Sequence, residues 1–374
     1  MKNILFIFGT RPEAIKLAPL IKEFTKPGSR FKVKVCVTSQ HREMLRQTLD
    51  FFKIKPDYDL DLMKPNQSLS EITADSLTGL GSVIDKSRPD LIFVQGDTST
   101  AFTGALVGFY KKVKVAHVEA GLRSNCKYSP FPEEVNRVLV SHLADYHFTP
   151  TETARENLAR EGIKKNVYVV GNTVIDALFF GLKVIKAEGE KNYHRFFRGV
   201  DFSKKIILVT GHRRENFGRP FENICASLKD LAVTRADIEI VYPVHLNPNV
   251  RKTVQKLLSG ISRIHLLDPV DYPRLIWLMN KSYFVLTDSG GIQEEAPSLG
   301  KPVLIMREVT ERTEGIRAGT AILVGTNRRK ITAESLHLLK EKKAYQKMSR
   351  AVNPYGDGKT SRKIADITRK LLAE

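Results

Sequence analysis

Short apolar runs alternate along this chain with longer amphipathic stretches. In the first half, Asn3–Phe8, Lys32–Thr38, Leu91–Gln95, Lys114–Val118 and Tyr146–Phe148 read as strands. Between them, Glu13–Phe24, Glu43–Phe52, Ser70–Asp85, Ala101–Tyr110 and Glu133–Ala144 carry apolar residues at helical spacing. Continuous apolar strands separated by helices predict a parallel sheet covered on both faces. The second half repeats the habit with Ile206–Thr210, Ile238–Pro243, Ile264–Leu267, Phe284–Thr287 and Pro302–Met306. Residues 172–204 are polar and mostly helical in pattern, and read as the connection between the halves. The expectation is an α/β fold of two doubly wound domains, residues 1–171 and 172–357.

The halves also echo each other locally. Ile4–Phe8 runs into Gly9-Thr10-Arg11-Pro12-Glu13, and Ile206–Thr210 runs into Gly211-His212-Arg213-Arg214-Glu215. Both read as strand, Gly-x-Arg-x-Glu, then helix. Leu91–Gln95 leads into Gly96-Asp97-Thr98, and Phe284–Thr287 into Asp288-Ser289-Gly290. Ligands of such sheets bind outside the carboxyl ends of the strands. Two such domains facing each other would place both sets of loops in one cleft. Chance agreement between short generic patterns is the competing explanation.

The chain has 374 residues. One hydrophobic core stops growing at roughly 250–300 residues, so two domains suit the length. No apolar run approaches the roughly 18 residues that cross a membrane. The apolar stretch near the N-terminus is too short for a signal peptide and no small-residue cleavage site follows it, so it reads as a buried strand of a cytoplasmic protein. The formal net charge of +19 invites a polyanion partner. Yet there is no long basic run, zinc-finger spacing or aromatic-rich RNA motif, so nucleic acid and membrane are not expected. The charge suits an anionic small molecule equally well. Cys36, Cys126 and Cys225 are scattered without a Cys-x-x-Cys pair, which fits a reducing compartment and gives no structural zinc or disulfide framework.

The clearest single motif is Thr287-Asp288-Ser289-Gly290-Gly291-Ile292-Gln293-Glu294-Glu295. A buried strand ends, two glycines let a bulky anion approach the backbone, and a helix start offers N–H groups to phosphate. Ser289 can add a hydroxyl, and Glu295 stands where a carboxylate can accept from ribose hydroxyls. An ordinary capped turn fits the same pattern. Gly356-Asp357-Gly358-Lys359-Thr360 resembles the tail of a P-loop, but Asn353 occupies the earlier glycine position and no buried strand precedes it. No G-x-G-x-x-G follows the first strand, so no dinucleotide cofactor is indicated. Three acids follow neighbouring strands: Asp97, Glu119 and Glu133. Each can serve as a cap or a dipole partner, and together they suggest acid–base chemistry. His117 alternates with Glu119 on its strand and gives little support for metal. Arg11 and Lys16, His212 and Arg213, and Arg307 and Arg312 supply positive charge near strand ends, where arginine forks bind phosphate.

Several of these segments together resemble one family, the non-hydrolysing UDP-N-acetylglucosamine 2-epimerases. They are Gly9–Lys16, Gln40–Leu45, Gly96-Asp97-Thr98, His117–Arg123, Gly211–Asn216, Tyr242–Pro248, Asp288–Glu295 and Asn353–Gly358, in order along nearly the whole chain. The resemblance implies a GT-B fold: two Rossmann-like domains facing across a cleft, with a C-terminal helix at about 358–374 returning to the first domain. It implies interconversion of UDP-N-acetylglucosamine and UDP-N-acetylmannosamine, usually by a homodimer, with no cofactor and no metal. Asp97, Glu119 and Glu133 match acid–base positions, and His212 a catalytic histidine that contacts the diphosphate. Arg11, Lys16, Arg213, Ser289, Gly290, Gly291 and Glu295 match nucleotide-binding positions, and Arg312 is expected near the diphosphate. Gln40, His41, Arg213 and His245 are similar to a second, regulatory UDP-N-acetylglucosamine site, although Asp75 stands in the region where an arginine is expected. A hydrolysing relative, a GT-B glycosyltransferase and a polyanion-binding protein are the other readings.

Overall fold

The computed structural model describes residues 1–39, 42–64 and 67–373, with Arg42 as backbone alone. The chain divides into two units, Met1–Phe179 with Tyr355–Glu374, and Phe180–Pro354.

In the first unit the described residues form seven strands: β1 Lys2–Phe8, β2 Phe31–Val37, β3 Tyr58–Asp59, β4 Leu91–Gln95, β5 Lys114–Val118, β6 Tyr146–Thr149 and β7 Val167–Val169. They lie in the order β3-β2-β1-β4-β5-β6-β7 and pair in parallel throughout. Alternate residues of β1 serve opposite faces. Ile4, Phe6 and Phe8 pack in one apolar cluster, and Leu5 and Ile7 in another. A strand buried on both sides needs an unbroken apolar run, which is why β1 is legible in the sequence. Phe6 stacks on Phe93 at 4.9 Å, and Phe24 meets both rings edge-on.

Tyr355–Glu374 belongs to this unit. The helix Thr360–Leu371 places Ile364 and Ala365 in the cluster with Phe6 and Phe8. Its first turn is held by Asp176, whose carboxylate accepts from the N–H groups of Thr360 at 3.2 Å and Ser361 at 2.7 Å. The P-loop look-alike at Gly356–Thr360 therefore starts a docked helix. The helix Lys342–Ser349 precedes it, where a P-loop would have a strand.

The second unit has six strands among the described residues: β8 Lys205–Thr210, β9 Ile238–Pro243, β10 Ile264–Leu267, β11 Phe284–Thr287, β12 Val303–Ile305 and β13 Ala321–Leu323. Their order is β10-β9-β8-β11-β12-β13, again parallel. The connection at 172–204 contains the helices Thr173–Glu188 and Lys191–Phe196.

Both sheets reverse their winding between equivalent strands, β1 and β4 in one and β8 and β11 in the other. At such a switch point the loops leaving neighbouring strands diverge and open a crevice at the carboxyl edge. No described helix is long and apolar enough to cross a membrane.

Candidate active site

At the switch point of the first unit, β1 leads into Gly9. A Cβ there would lie 2.1 Å from Thr38 Oγ1 and 2.5 Å from Thr100 Oγ1, so only glycine fits. The turn is tied by Glu13, whose Oε2 accepts from the N–H groups of Gly9 at 3.1 Å and Thr10 at 2.8 Å. Its Oε1 accepts from Thr98 Oγ1 at 2.7 Å, which joins the loops after β1 and β4. Burial raises the Glu13 carboxyl above its ordinary range, against the pull of these hydrogen bonds.

Asp97 follows β4 and Glu119 follows β5. Asp97 Oδ2 forms an ion pair with Arg137 Nη2, and the Asp97 carbonyl accepts from Asn136 Nδ2 at 3.0 Å. Glu119 has φ 65°, a left-handed conformation that costs a side-chain-bearing residue on the order of 1 kcal/mol. Such strain is retained where the surroundings enforce it, and it clusters at functional sites. Here the enforcement is explicit. Glu119 Oε2 accepts from Gln95 Nε2 at 3.0 Å and Asn172 Nδ2 at 3.3 Å, and pairs with Lys16 Nζ.

The two acids share a pattern. Each has one oxygen held by a cation. The other oxygens, Asp97 Oδ1 and Glu119 Oε1, accept no hydrogen bond among the described residues and are not sealed from solvent. Glu133 opens the helix Glu133–Leu143 and differs from both, because its Oε2 is buried without a hydrogen-bond partner among the described residues.

His117 is fully buried, with Nε2 2.8 Å from the Gly96 carbonyl. Burial pushes its imidazole down to about 3, so the ring is neutral at pH 7 and Nε2–H is the donor to Gly96. Among the described residues no group of three or more His, Cys, Asp or Glu side chains is set to hold a metal ion. Arg123 donates to both oxygens of Glu161 at 2.7 Å and is nearly buried, which makes it a structural cation.

At the switch point of the second unit the hub is Asp288, which is fully buried. Its Oδ2 accepts from the N–H groups of His212 and Arg213, both at 2.9 Å, and from Asn216 Nδ2 at 3.2 Å. His212 Nδ1 lies 3.3 Å from Asp288 Oδ1. Burial alone would raise this carboxyl, but His212 and the two backbone donors outweigh it and hold it below its ordinary value. A carboxylate at Nδ1 orients the imidazole and leaves Nε2 for other work. The His212 ring stacks on the exposed ring of His245 at 5.3 Å. Arg213 Nε is buried without a partner among the described residues.

The strand-to-helix motif folds as read. The helix Gly290–Glu295 follows Ser289, and its leading N–H groups lie ahead of the first intrahelical bonds. Arg312 packs over Gly290, where a Cβ would come within 3.1 Å of its Cζ, and its Nε donates to Glu294 Oε1 at 3.0 Å. Glu295 Oε1 accepts from the buried Tyr272 hydroxyl at 3.0 Å. Arg307 is taken up by Glu215 and Glu311.

The echo between the halves therefore holds for the sheets and departs in the chemistry. Glu13 ties its own loop, whereas the corresponding loop of the second unit is tied by Asp288 from the neighbouring strand. After Gly211 the chain makes a short 3-10 turn at Arg214–Asn216 before the helix Arg219–Thr234 begins. Sequence reasoning missed Arg137, Asn136, Gln95 and Asn172 as partners of the acids, and it missed Asp288 as the anchor of His212. A signal existed for two of them, because Asn136 and Arg137 lie one helical turn beyond Glu133. Gln40 and His41 lie outside the described residues.

A family model described as UDP-N-acetylglucosamine 2-epimerase matches residues 24–369. The chain belongs to this family. The UDP-N-acetylglucosamine 2-epimerase of Escherichia coli strain K12 is 53% identical over 374 residues, covering 98% of each chain. The crystal structure of the Neisseria meningitidis UDP-GlcNAc 2-epimerase, bound to UDP-GlcNAc, superimposes with a TM-score of 0.91 at 48% identity, covering 98% of this chain and 100% of that one. The S. aureus MnaA–UDP co-structure gives a TM-score of 0.88 at 48% identity, covering 100% of this chain and 97% of that one. The two helix-flanked parallel sheets are those of a GT-B-type epimerase, as the resemblance implied.

Proposed function

We propose that this chain interconverts UDP-N-acetylglucosamine and UDP-N-acetylmannosamine without releasing free sugar. The hydrogen on carbon 2 of the sugar lies beside no ketone and is a very weak acid. Inversion without an oxidant is easiest when a base removes that proton as UDP leaves carbon 1. The carbon–hydrogen electron pair becomes the C1–C2 double bond of a 2-acetamidoglucal, and the C1–O pair departs with UDP. A proton delivered to the opposite face of carbon 2, with UDP re-adding at carbon 1, completes the epimer. Two faces call for acid–base groups on both sides. The departing diphosphate calls for positive charge and preorganised donors.

The observation that carries this reading is the acid set of the first unit, in a chain of this family. Asp97 and Glu119 each keep one cation-held oxygen and one open oxygen, and Glu133 stands at the start of the next helix. These three serve as the acid–base groups. His212, oriented by Asp288, contacts the diphosphate. Ser289, Gly290, Gly291, Arg213 and Arg312 hold the nucleotide, and Arg11 adds charge. Glu295, already bonded to Tyr272, meets the ribose. Lys16, paired with Glu119, also contacts the nucleotide. The active species is a cytoplasmic homodimer supplying activated N-acetylmannosamine for surface polysaccharide. Gln40, His41, Arg213 and His245 are the candidates for a regulatory nucleotide-sugar site.

Product identity tests the reading. Anion-exchange separation of an incubation with UDP-N-acetylglucosamine should show UDP-N-acetylmannosamine at equilibrium with substrate. Accumulation of UDP with free N-acetylmannosamine would replace the non-hydrolysing reaction with the hydrolysing one.

A further inference from the structure

We propose that Arg137 is the positioning residue of Asp97, the charged member of a three-point clamp on that acid. The inference rests on the reaction proposed above, in which Asp97 moves a proton.

The clamp reaches Asp97 from two elements of the first unit, β5 and the helix Glu133–Leu143. His117 on β5 donates to the carbonyl of Gly96, the residue before Asp97, at 2.8 Å. Asn136 on the helix Glu133–Leu143 donates to the Asp97 carbonyl at 3.0 Å. Arg137, on the same helix, pairs its Nη2 with Asp97 Oδ2. The first two fix the backbone on either side of the Asp97 Cα, and the third fixes the carboxylate.

The guanidinium is itself held from behind. Its Nη1 lies 3.1 Å from Glu134 Oε2, and Glu134 accepts from the N–H groups of Ser124 at 3.0 Å and Asn125 at 2.9 Å. Both side chains are largely buried. A fork fixed at one end and bonded at the other transmits direction as well as charge, which an ammonium cannot do. With Oδ2 pinned, Oδ1 is the oxygen left to exchange a proton. Glu134 is therefore the anchor of the cation, while its neighbour Glu133 remains for chemistry.

A misplacement of about 1 Å in a reacting group can lower turnover about 10²-fold. Arg137→Met should accordingly lower kcat for UDP-N-acetylglucosamine by about 10²-fold while leaving KM little changed. Arg137→Lys should recover part of the loss. The decisive comparison is a double-mutant cycle with Asp97→Asn. If Arg137 acts through Asp97, the double variant is no slower than Asp97→Asn alone. Losses that multiply would overturn the proposal, and so would wild-type kcat in Arg137→Met beside a slow Asp97→Asn. Wild-type turnover in Asp97→Asn would overturn the assignment of Asp97, and this proposal with it. Should Arg137→Met fail to fold, Asn136→Ala carries the same comparison. It removes only the bond to the Asp97 carbonyl, should lower kcat at steady KM, and would overturn the clamp if kcat stayed at the wild-type value.

Discussion

His117 shows how much one buried side chain can fix. Its imidazole is held down to about 3 by burial, against an ordinary value of 6.5, with the bond to Gly96 opposing the shift. The native ring stays neutral where the unfolded chain takes up a proton, so acid favours unfolding from pH 6.5 downward. Between pH 7 and pH 5 this costs about 2 kcal/mol. Chemical denaturation at the two pH values should show that loss, and His117→Gln should lack it. Equal losses in both proteins would contradict the placement. His147, also lowered by burial, acts in the same direction and is present in both. Asp97→Asn, Glu119→Gln and Glu133→Gln should each stay folded by circular dichroism and lose about 10²- to 10⁴-fold in turnover, the usual worth of an acid–base group. Full activity in all three would refute the proposed chemistry. Glu119 was legible because a charged residue immediately after an apolar strand is conspicuous, Asp97 because it lies two residues past one, and Glu133 because it opens a helix behind Pro130 and Pro132. Their partners were not. Arg137 reaches Asp97 across 40 positions, and Asn172 reaches Glu119 across 53, so nothing in the local pattern links them.

At the scale of elements, legibility follows burial. The central strands are sealed on both faces and announce themselves as apolar runs. The short edge strands β3, β7 and β13 are two or three residues long and mostly half-buried or exposed, so their composition resembles that of loops. The expected helices formed with ends moved by a few residues, as with Ser70–Asp85, observed as Leu69–Ser87. The docking of the last helix is a long-range event that the sequence pattern alone does not encode. Asp176 caps that helix from far earlier in the chain. Asp176→Ala should weaken the docking by about 1 kcal/mol, the usual worth of such a cap. Hydrogen exchange of the amides in residues 360–371 should speed up accordingly. Unchanged protection would mean that Ile364 and Ala365 hold the helix without the cap. Gly9→Ala should be worse, because its new methyl meets two hydroxyls that bond each other at 2.8 Å. A lowered melting temperature would show this, and an unchanged one would contradict the close approach.

For the whole molecule, the repeated alternation of strand and helix pointed to two units, and each has its own sheet and core. The repeated Gly-x-Arg-x-Glu marked equivalent strand ends, while the tie to each loop came from a different residue. The three cysteines are free, two of them buried, with Cys36 and Cys225 raised to about 12 by burial. The central claim is that elimination and re-addition of UDP invert carbon 2 of the sugar, and solvent hydrogen reports on it most directly. The protein should be incubated with UDP-N-acetylglucosamine in deuterium oxide and followed by proton NMR. The account predicts UDP-N-acetylmannosamine bearing deuterium at carbon 2. Epimer that retains its original hydrogen at that carbon, or no exchange at any substrate concentration, would contradict it.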